Sequence, residues 1–162
     1  MTPQADIRKA LNRIPWLLDL DPASLDRLAA IAELVETCPG QVLFTEGDRE
    51  DSLYILLEGQ VVLDMEIPTR GQPPFYTAEA LDIIGWSSLT PIVRQRTASA
   101  RVTQRGTLLV FQSALLQQLC DEDHDLGYTL MKRLSNVVAT RLLTTRVYLM
   151  EMIAHSAPQE AG

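Results

Sequence analysis

The sequence predicts a mainly β domain with flanking helices, in which the strands form an antiparallel barrel or jelly roll. Three features of the 162-residue chain indicate this fold class. Apolar residues recur at helical spacing in the first forty residues, short β-rich runs separated by turn residues follow, and an uninterrupted helical pattern comes last. The length suits one domain with a substantial core better than two domains.

Residues 1–38 are predicted to form an N-terminal helical segment. Four apolar residues lie three or four positions apart and define one face of a first helix: Ile7, Leu11, Ile14 and Leu18. Asp21 and Pro22 then supply the cap and the first turn of a second helix. Pro39 and Gly40 end the helical pattern, and the apolar face of the second helix comprises Leu25, Leu28, Ala29, Ile31 and Ala32.

Residues 39–112 are predicted to form the strands. The runs rich in valine, isoleucine, leucine and aromatic residues are 41–44, 52–57, 60–67, 75–81, 98–103 and 107–111. Gly47 and Gly59 lie between polar residues, where glycine can adopt the positive φ that tight hairpin turns require. Short strands joined by such turns are typical of an antiparallel barrel or jelly roll.

Residues 113–155 are predicted to form a short helix followed by a long one, and residues 156–162 a disordered tail. The long helix carries apolar residues at alternating steps of three and four, as two helices packed side by side require. The alternative is a helix that packs only on its own barrel. We interpret it as a dimerisation helix whose seam comprises Leu130, Leu134, Val138, Leu142 and Leu149.

Composition and charge exclude several classes of function. The net charge of −7 opposes direct binding to nucleic acid, which relies on clustered lysine and arginine. No apolar run approaches the roughly 20 residues that cross a bilayer, and the first residues lack an export signal. We therefore expect a cytoplasmic protein without membrane contact. Cys38 and Cys120 have no CxxC spacing and are expected to be reduced thiols.

Catalytic and metal sites are not expected in this chain. It has only two histidines, His124 and His155, and lacks the GxSxG, HExxH and glycine-rich phosphate-loop motifs. The acidic cluster at 121–125 lacks the ligand spacing and the glycine of a calcium loop. Asp123 or Asp125 is instead expected to cap the long helix. We therefore predict a protein that is not an enzyme and that needs no metal or resident cofactor.

Segment 83–99 is the candidate anion site. It combines a glycine-serine turn with a following arginine, and backbone amides together with a guanidinium can enclose a phosphate. Arg94 is a second candidate for that arginine. The alternative interpretation is a strand end with a solvated surface arginine, because such short patterns are common in loops. The candidate ligand contacts in this segment are Gly85, Trp86, Ser87, Ser88, Arg96, Thr97 and Ala98.

The order of elements and these residues together resemble the cyclic-nucleotide-binding domain of the catabolite activator (Crp/Fnr) family of bacterial regulators. The resemblance covers about residues 11–152. It implies a β-roll, also called a double-stranded β-helix, and a cyclic nucleotide such as cAMP or cGMP as ligand. Related regulators continue into a helix-turn-helix domain, which we do not expect in this chain. Besides segment 83–99 and the long helix, the resemblance rests on Pro39, Gly40, Glu46, Gly47, Asp48, Asp51, Tyr54 and Gly59.

One departure from the family pattern bears directly on the ligand. The family segment usually reads Gly-Glu-x-x-Leu followed by Arg-x-Ala, and here Arg96 aligns with the phosphate-binding arginine while Trp86 takes the place of the glutamate. Because that glutamate accepts the ribose hydroxyl, its loss should weaken a ribose-bearing ligand by about tenfold to a hundredfold. Trp86 stacks on a ligand base or on Arg96, or it fills the pocket. Arg96 either binds phosphate or only closes the loop.

The resemblance also implies a ligand contact from the long helix. The family places a polar residue opposite the base, at about the height of Thr144 or Thr145, and we take Thr145 as the candidate. Either threonine could instead lie in the dimer seam. The expected function is a homodimeric sensor that signals through its C-terminal helix to a protein partner. The alternatives are a domain without nucleotide binding that serves as an interaction module, and a regulator that acts through DNA-binding partners.

Overall fold

The computed structural model describes residues 3–49, 51–90, 92–93 and 95–156. The chain begins with helix α1 (Pro3–Leu11), a 3-10 turn (Pro15–Leu17) and helix α2 (Pro22–Ala30). Asp21 caps α2 as predicted, since its side chain accepts hydrogen bonds from the backbone N–H groups of Ala23 at 2.9 Å and Ser24 at 3.0 Å. Helices α1 and α2 contact each other, and their apolar faces belong to one core.

The predicted N-terminal helical segment is wrong after Ala30. Strand β1 (Ala32–Thr37) follows at once and pairs antiparallel with the last strand, with Ala32 opposite Phe111 and Thr37 opposite Gly106. Ile31 and Ala32 continue the helical spacing of α2 by coincidence. The backbone groups of this segment are satisfied by a strand nearly eighty residues away in the sequence, a partner that local spacing does not reveal.

The remaining strands are β2 (Val42–Phe44), β3 (Ser52–Asp64), β4 (Pro74–Ala78), β5 (Ile83–Ile84) and β6 (Ser99–Gln112). The sheet order is β1-β6-β3-β4, while β2 pairs with β6 and β5 pairs with β3. The predicted antiparallel β-roll with flanking helices is confirmed. The predicted turn at 46–48 is also confirmed, because Gly47 has a φ of +88° and the Asp48 carboxylate accepts the Thr45 N–H at 2.8 Å.

The hairpin predicted at Gly59 is absent, because two pairs of predicted strands merge. Predicted run 52–57 and the first part of run 60–67, as far as Asp64, lie in β3. Run 107–111 and all of run 98–103 except Ala98 lie in β6. Gly59 has a φ of +96°, and a side chain there would meet the carbonyl oxygen of Arg105. A Cβ at Gly106 would overlap the carbonyl oxygen of Glu58. These glycines thus allow two long strands to approach closely at irregular points of their register.

Alternating side chains of β3 and β6 supply two cores. Leu53, Ile55 and Phe111 face the helices, whereas Leu56, Val61 and Leu108 fill the interior of the roll. Both faces of the sheet are therefore covered, one by the apolar interior of the roll and the other by the helices.

Helices α3 (Ser113–Glu122) and α4 (His124–Ser156) complete the described chain. Asp123 caps α4 as predicted, since its carboxylate accepts the Leu126 N–H at 3.1 Å. Ser156 belongs to α4, and the rest of the predicted tail, 157–162, lies outside the described residues. Within the described part of the chain, no helix has the length and apolar character that crossing a membrane requires.

The predicted dimer seam must be corrected in its first half. Leu130 and Leu134 are buried in the core of their own domain, each 5% exposed, and Val138 is half-buried. Leu130 and Leu134 therefore cannot also face a second subunit. Leu142 and Leu149 are 59% and 55% exposed, because α4 extends beyond the body of the domain. The helix therefore packs on its own domain first and projects from it afterwards.

Candidate functional site

The turn after β5 is built around a left-handed glycine. Gly85 has a φ of +76° and precedes the 3-10 turn Trp86–Leu89. The N–H of Ser88 donates to the Gly85 carbonyl at 3.1 Å. A Cβ at Gly85 would lie 2.5 Å from Nη1 of Arg96. Glycine is thus required here both by the backbone conformation and by the close approach of an arginine.

Arg96 is enclosed behind this turn and is only 3% exposed. Its guanidinium carbon lies 4.2 Å from the centre of the Phe44 ring, while Nη2 donates to the Ser52 carbonyl at 2.7 Å and Nη1 to the Gly85 carbonyl at 3.4 Å. A carboxylate oxygen of Asp51 lies 3.6 Å from Nη2. These contacts tie the turn to β3 and give two of the three guanidinium nitrogens a hydrogen-bond acceptor, while Nε is buried without one among the described residues.

A cavity of about 210 Å³ lies between the β-roll and α4. Its wall brings together five of the eight residues predicted to contact a ligand: Gly85, Trp86, Thr97, Ala98 and Thr145. The other three, Ser87, Ser88 and Arg96, do not line it. Arg94, the second arginine candidate, lies outside the described residues.

The cavity wall is mainly apolar and partly aromatic. Phe44, Phe75 and Trp86 contribute rings, and Leu63, Met65 and Ile84 add aliphatic surface. Trp86 is half-buried and also packs against the helical core, so it forms a wall of the cavity and leaves space beside it. A wall of this composition suits a ligand with a flat apolar body.

Arg141 of α4 is a cationic residue of the cavity wall that the sequence analysis missed. Its guanidinium carbon lies 3.1 Å from the centre of the Tyr76 ring, and its Nη2 donates to the Ile83 carbonyl at 3.4 Å. Burial lowers the pKa of Arg141, opposed by Tyr76 and Asp82. One signal was available, because Arg141 precedes Thr145 by four residues and therefore shares its helix face.

Tyr76 contacts the Arg141 guanidinium with its ring and Asp82 with its hydroxyl. Its hydroxyl donates to Asp82 at 2.9 Å, and burial raises the pKa of the Tyr76 phenol. The same Asp82 oxygen accepts the backbone N–H of Glu79 at 3.1 Å. Tyr76 is therefore fixed in position as a neutral ring beneath the Arg141 guanidinium.

Asp123 of the acidic cluster near His124 contributes to the fold. Asp123 caps α4 and receives hydrogen bonds from Ser24 and Arg27 of α2. Among the described residues, no group of three or more histidine, cysteine, aspartate or glutamate side chains is placed to hold a metal ion.

The projecting half of α4 exposes a broad apolar surface, here called the distal α4 surface. Its large apolar side chains are 49% to 68% exposed. They point in several directions around the helix, so this half is apolar over most of its circumference. The residues of the surface are Leu142, Leu143, Val147, Tyr148, Leu149, Met150, Met152 and Ile153.

Comparison with known proteins agrees with the fold. The sequence profile of the cyclic nucleotide-binding domain matches residues 34–123, which is more than half of the chain. A putative cyclic nucleotide-binding protein from Geobacter metallireducens has a crystal structure that superimposes with a TM-score of 0.71 at 27% identity, covering 88% of this chain and 99% of that one.

Two further similarities point the same way. The N-terminal domain of a transcriptional regulator from Streptomyces coelicolor superimposes with a TM-score of 0.64 at 29% identity, over 84% of this chain and 94% of that one. An uncharacterized NTE family protein of Mycobacterium tuberculosis is 40% identical over 57 residues, or 35% of this chain. The match spans only about 10% of that relative's length. The profile match, supported by the shared fold, shows that this chain belongs to the cyclic nucleotide-binding domain family.

Proposed function

We propose that this chain is a non-enzymatic sensor domain whose small ligand occupies the cavity between the β-roll and α4. The main support for the proposal is that the β-roll and α4 both contribute residues to the wall of this cavity. Gly85, Trp86 and Ala98 belong to the roll side, whereas Arg141 and Thr145 belong to α4. A ligand in this cavity contacts both parts of the domain at once.

The mechanism that follows is a population shift of α4. A ligand that contacts the roll and α4 together favours the helix pose in which both sets of contacts form. The coupling free energy cannot exceed the difference in ligand affinity between the two poses. The projecting half of α4 then carries the change to a partner protein.

A cyclic nucleotide is the first ligand to test, because the chain belongs to this family. We expect the natural chain to bind cAMP or cGMP weakly, since Trp86 lines the cavity in place of an acceptor for the ribose hydroxyl. Trp86→Glu should strengthen that binding about tenfold to a hundredfold.

Calorimetric titration with cAMP and cGMP tests this site directly. Thr145→Trp provides the control, because Thr145 is an exposed helix position that lines the cavity and a bulky ring there should obstruct it. The expected result is weak binding by the natural chain, tighter binding by Trp86→Glu and no binding by Thr145→Trp. Equal binding by Thr145→Trp and the natural chain would place the nucleotide elsewhere.

A second candidate function is an interaction module that acts through the distal α4 surface without a ligand. Eight large apolar side chains exposed on one half-helix favour it, since surfaces of this kind mark protein contacts. A homodimer through this surface is the simplest form of the module. Light scattering at micromolar concentration distinguishes a dimer from a monomer of 18.1 kDa.

The partner protein in both candidates could be a separate chain or a further domain of a longer one. The mycobacterial relative supports the second arrangement, because the matching segment there is a small part of a much longer protein. We infer a protein partner rather than DNA, because the net charge of −7 disfavours contact with phosphates.

A further inference from the structure

Strand β1 (Ala32–Thr37) lies at an edge of the sheet. It pairs with β6 on one side, and no strand of the described chain pairs with its other side. Outside the ladder with β6, residues 32–37 make no backbone hydrogen bond to any described residue. An edge strand presents N–H and C=O groups to which a further extended segment can bond. The unpaired side of residues 32–37 is here called the β1 edge.

Two grooves lie along the first half of β1. The larger, of about 580 Å³, lies between residues 32–34 and the first residues of α1. The smaller, of about 260 Å³, extends from Ala32 and Glu33 to Leu115 of α3, which is 42% exposed. The two grooves share Ala32 and Glu33. None of their lining residues lines the cavity between the β-roll and α4, so this surface is separate from the proposed ligand site.

The middle of β1 has two apolar side chains between two acidic ones. Glu33 and Glu36 are exposed, whereas Leu34 and Val35 are half-buried. Asp6 of α1 adds a third carboxylate to the larger groove. None of these three carboxylates forms an ion pair with a described residue, and no described lysine or arginine lines either groove. The β1 edge is therefore negatively charged and has no neighbouring cation to neutralise it.

This charge pattern disfavours a second copy of the chain as the occupant. The antiparallel register that pairs Leu34 of one copy with Val35 of another places Glu33 opposite Glu36 at both ends. Like charges directly opposite each other on neighbouring strands are destabilising. The net charge of −7 adds repulsion between copies. An extended segment with basic side chains would instead form ion pairs at the same two positions.

We propose that the β1 edge binds an extended segment of a partner protein, in which two apolar residues lie between two lysines or arginines. The segment adds to the sheet as a further strand. Its basic side chains lie opposite Glu33 and Glu36, and its apolar side chains lie opposite Leu34 and Val35. This order is the same in both directions, so a parallel or an antiparallel strand satisfies it. The inference goes beyond the proposed function and does not depend on a ligand in the cavity.

Fluorescence anisotropy with short labelled peptides tests the proposal. One peptide contains Arg-Val-Val-Arg between threonines, and a second contains Glu-Val-Val-Glu in the same frame. We expect the natural chain to bind the arginine peptide about tenfold or more tightly than the glutamate peptide.

Two further arginine peptides test whether the backbone pairs. Each carries N-methyl groups on one of the two alternating sets of backbone nitrogens. Only one set of nitrogens can face β1 in an added strand, because successive N–H groups of a strand point to opposite sides. Methylation of that set should abolish binding, and methylation of the other set should largely preserve it.

Charge reversal on the chain makes the result specific. Glu33→Lys combined with Glu36→Lys should reverse the preference, so that this variant binds the glutamate peptide more tightly than the arginine peptide. Asp19→Lys combined with Glu151→Lys is the matched control. Both of these residues are exposed, lie outside the two grooves and give the same change in net charge. The control should keep the preference for the arginine peptide. Circular dichroism confirms that each variant is folded.

Four outcomes would overturn the proposal. The natural chain may fail to bind the arginine peptide, or the control variant with Asp19→Lys may lose the preference as fully as the variant with Glu33→Lys, in which case net charge suffices. Equal affinity for the two methylated peptides would exclude strand addition. Self-association of the natural chain in light scattering that Glu33→Lys with Glu36→Lys removes would assign the β1 edge to a second copy.

Discussion

Ser24 of α2 joins its own helix cap to the cap of α4, because its hydroxyl lies within hydrogen-bond distance of both Asp21 and Asp123. Asp21 caps α2, and Asp123 caps α4 while also pairing with Arg27. Two helices that begin about a hundred residues apart in the sequence are thereby fixed to one another at their N-terminal ends.

Replacing this hydroxyl should loosen both caps. Ser24→Ala is expected to lower the free energy of unfolding by about 1–3 kcal/mol, since Ser24 is 1% exposed and its hydroxyl hydrogen-bonds to the buried carboxylate of Asp123. Urea denaturation measures the change. Ser135→Ala is the control, because Ser135 is exposed and its hydroxyl contacts only the Met131 carbonyl of its own helix. Equal losses in the two variants would contradict a special role for Ser24.

The same caps predict acid sensitivity. Hydrogen bonds from Ser24 lower the pKa of both Asp21 and Asp123 below the ordinary value of 3.8. A carboxyl whose pKa is lower in the folded state contributes stability above pH 3.8 and loses it as the pH falls through the folded value. The urea concentration at the midpoint of unfolding should therefore fall as the pH is lowered below about 4. This fall should be less steep in Asp123→Asn. A parallel pH profile in that variant would be the contrary result.

Two glycines with nearly the same backbone conformation separate steric contact from strain. Gly85 has a φ of +76° with Arg96 Nη1 2.5 Å from an added Cβ, whereas Gly71 has a φ of +79° with nothing within 4 Å. Each alanine variant carries the cost of a left-handed residue, about 1 kcal/mol. Gly85→Ala should cost more than Gly71→Ala in urea denaturation, because Arg96 must also move. Equal costs would show that Arg96 yields without penalty.

The two halves of α4 should respond differently to truncation of a leucine. Leu130→Ala removes a core side chain and should lower the free energy of unfolding by about 2–5 kcal/mol. Leu142→Ala, at a 59% exposed position, should change monomer stability by no more than about 0.5 kcal/mol. Urea denaturation at low protein concentration measures both. Under the dimer proposal, Leu142→Ala also weakens self-association in light scattering.

The two cysteines should react at different rates. Cys38 is exposed, whereas Cys120 is half-buried and burial raises its pKa to about 11. At pH 8 only about one Cys120 thiol in a thousand is then ionised, and the thiolate is the reactive form. A disulfide exchange reagent should therefore modify one thiol quickly and the second slowly, and Cys38→Ser should remove the fast phase. Two fast phases would mean that the corner between α3 and α4 opens readily.

Much of the fold followed from local patterns. The caps at Asp21 and Asp123, the turn at Gly47 and the long last helix all depend on residues within a few positions of each other, and each is present. Strand β1 and the merged strands were missed, because a strand is stabilised by partners distant in sequence. The hairpin predicted at Gly59 failed for the same reason. Positive φ at glycine serves a close crossing of two strands as readily as a turn.

The candidate site shows the same division. A short motif in segment 83–99 and a threonine on the last helix led to five residues of the cavity wall. The role of each arginine could not be obtained in this way, since it depends on what surrounds the guanidinium. Phe44, Ser52 and Gly85 occupy Arg96, while packing of α4 against Tyr76 brings Arg141 to the cavity.

Periodicity and turn chemistry were sufficient to indicate an antiparallel barrel or jelly roll with flanking helices, and the resemblance in motifs and element order indicated its family. Packing assigned the buried and exposed halves of α4 and the arginine that faces the cavity. Those properties arise from contacts of α4 with α3 and the two 3-10 turns, and from the contacts of Arg141 with Tyr76 and Ile83. Helical spacing alone cannot specify them, because an apolar stripe on a helix is compatible with either its own core or a second chain.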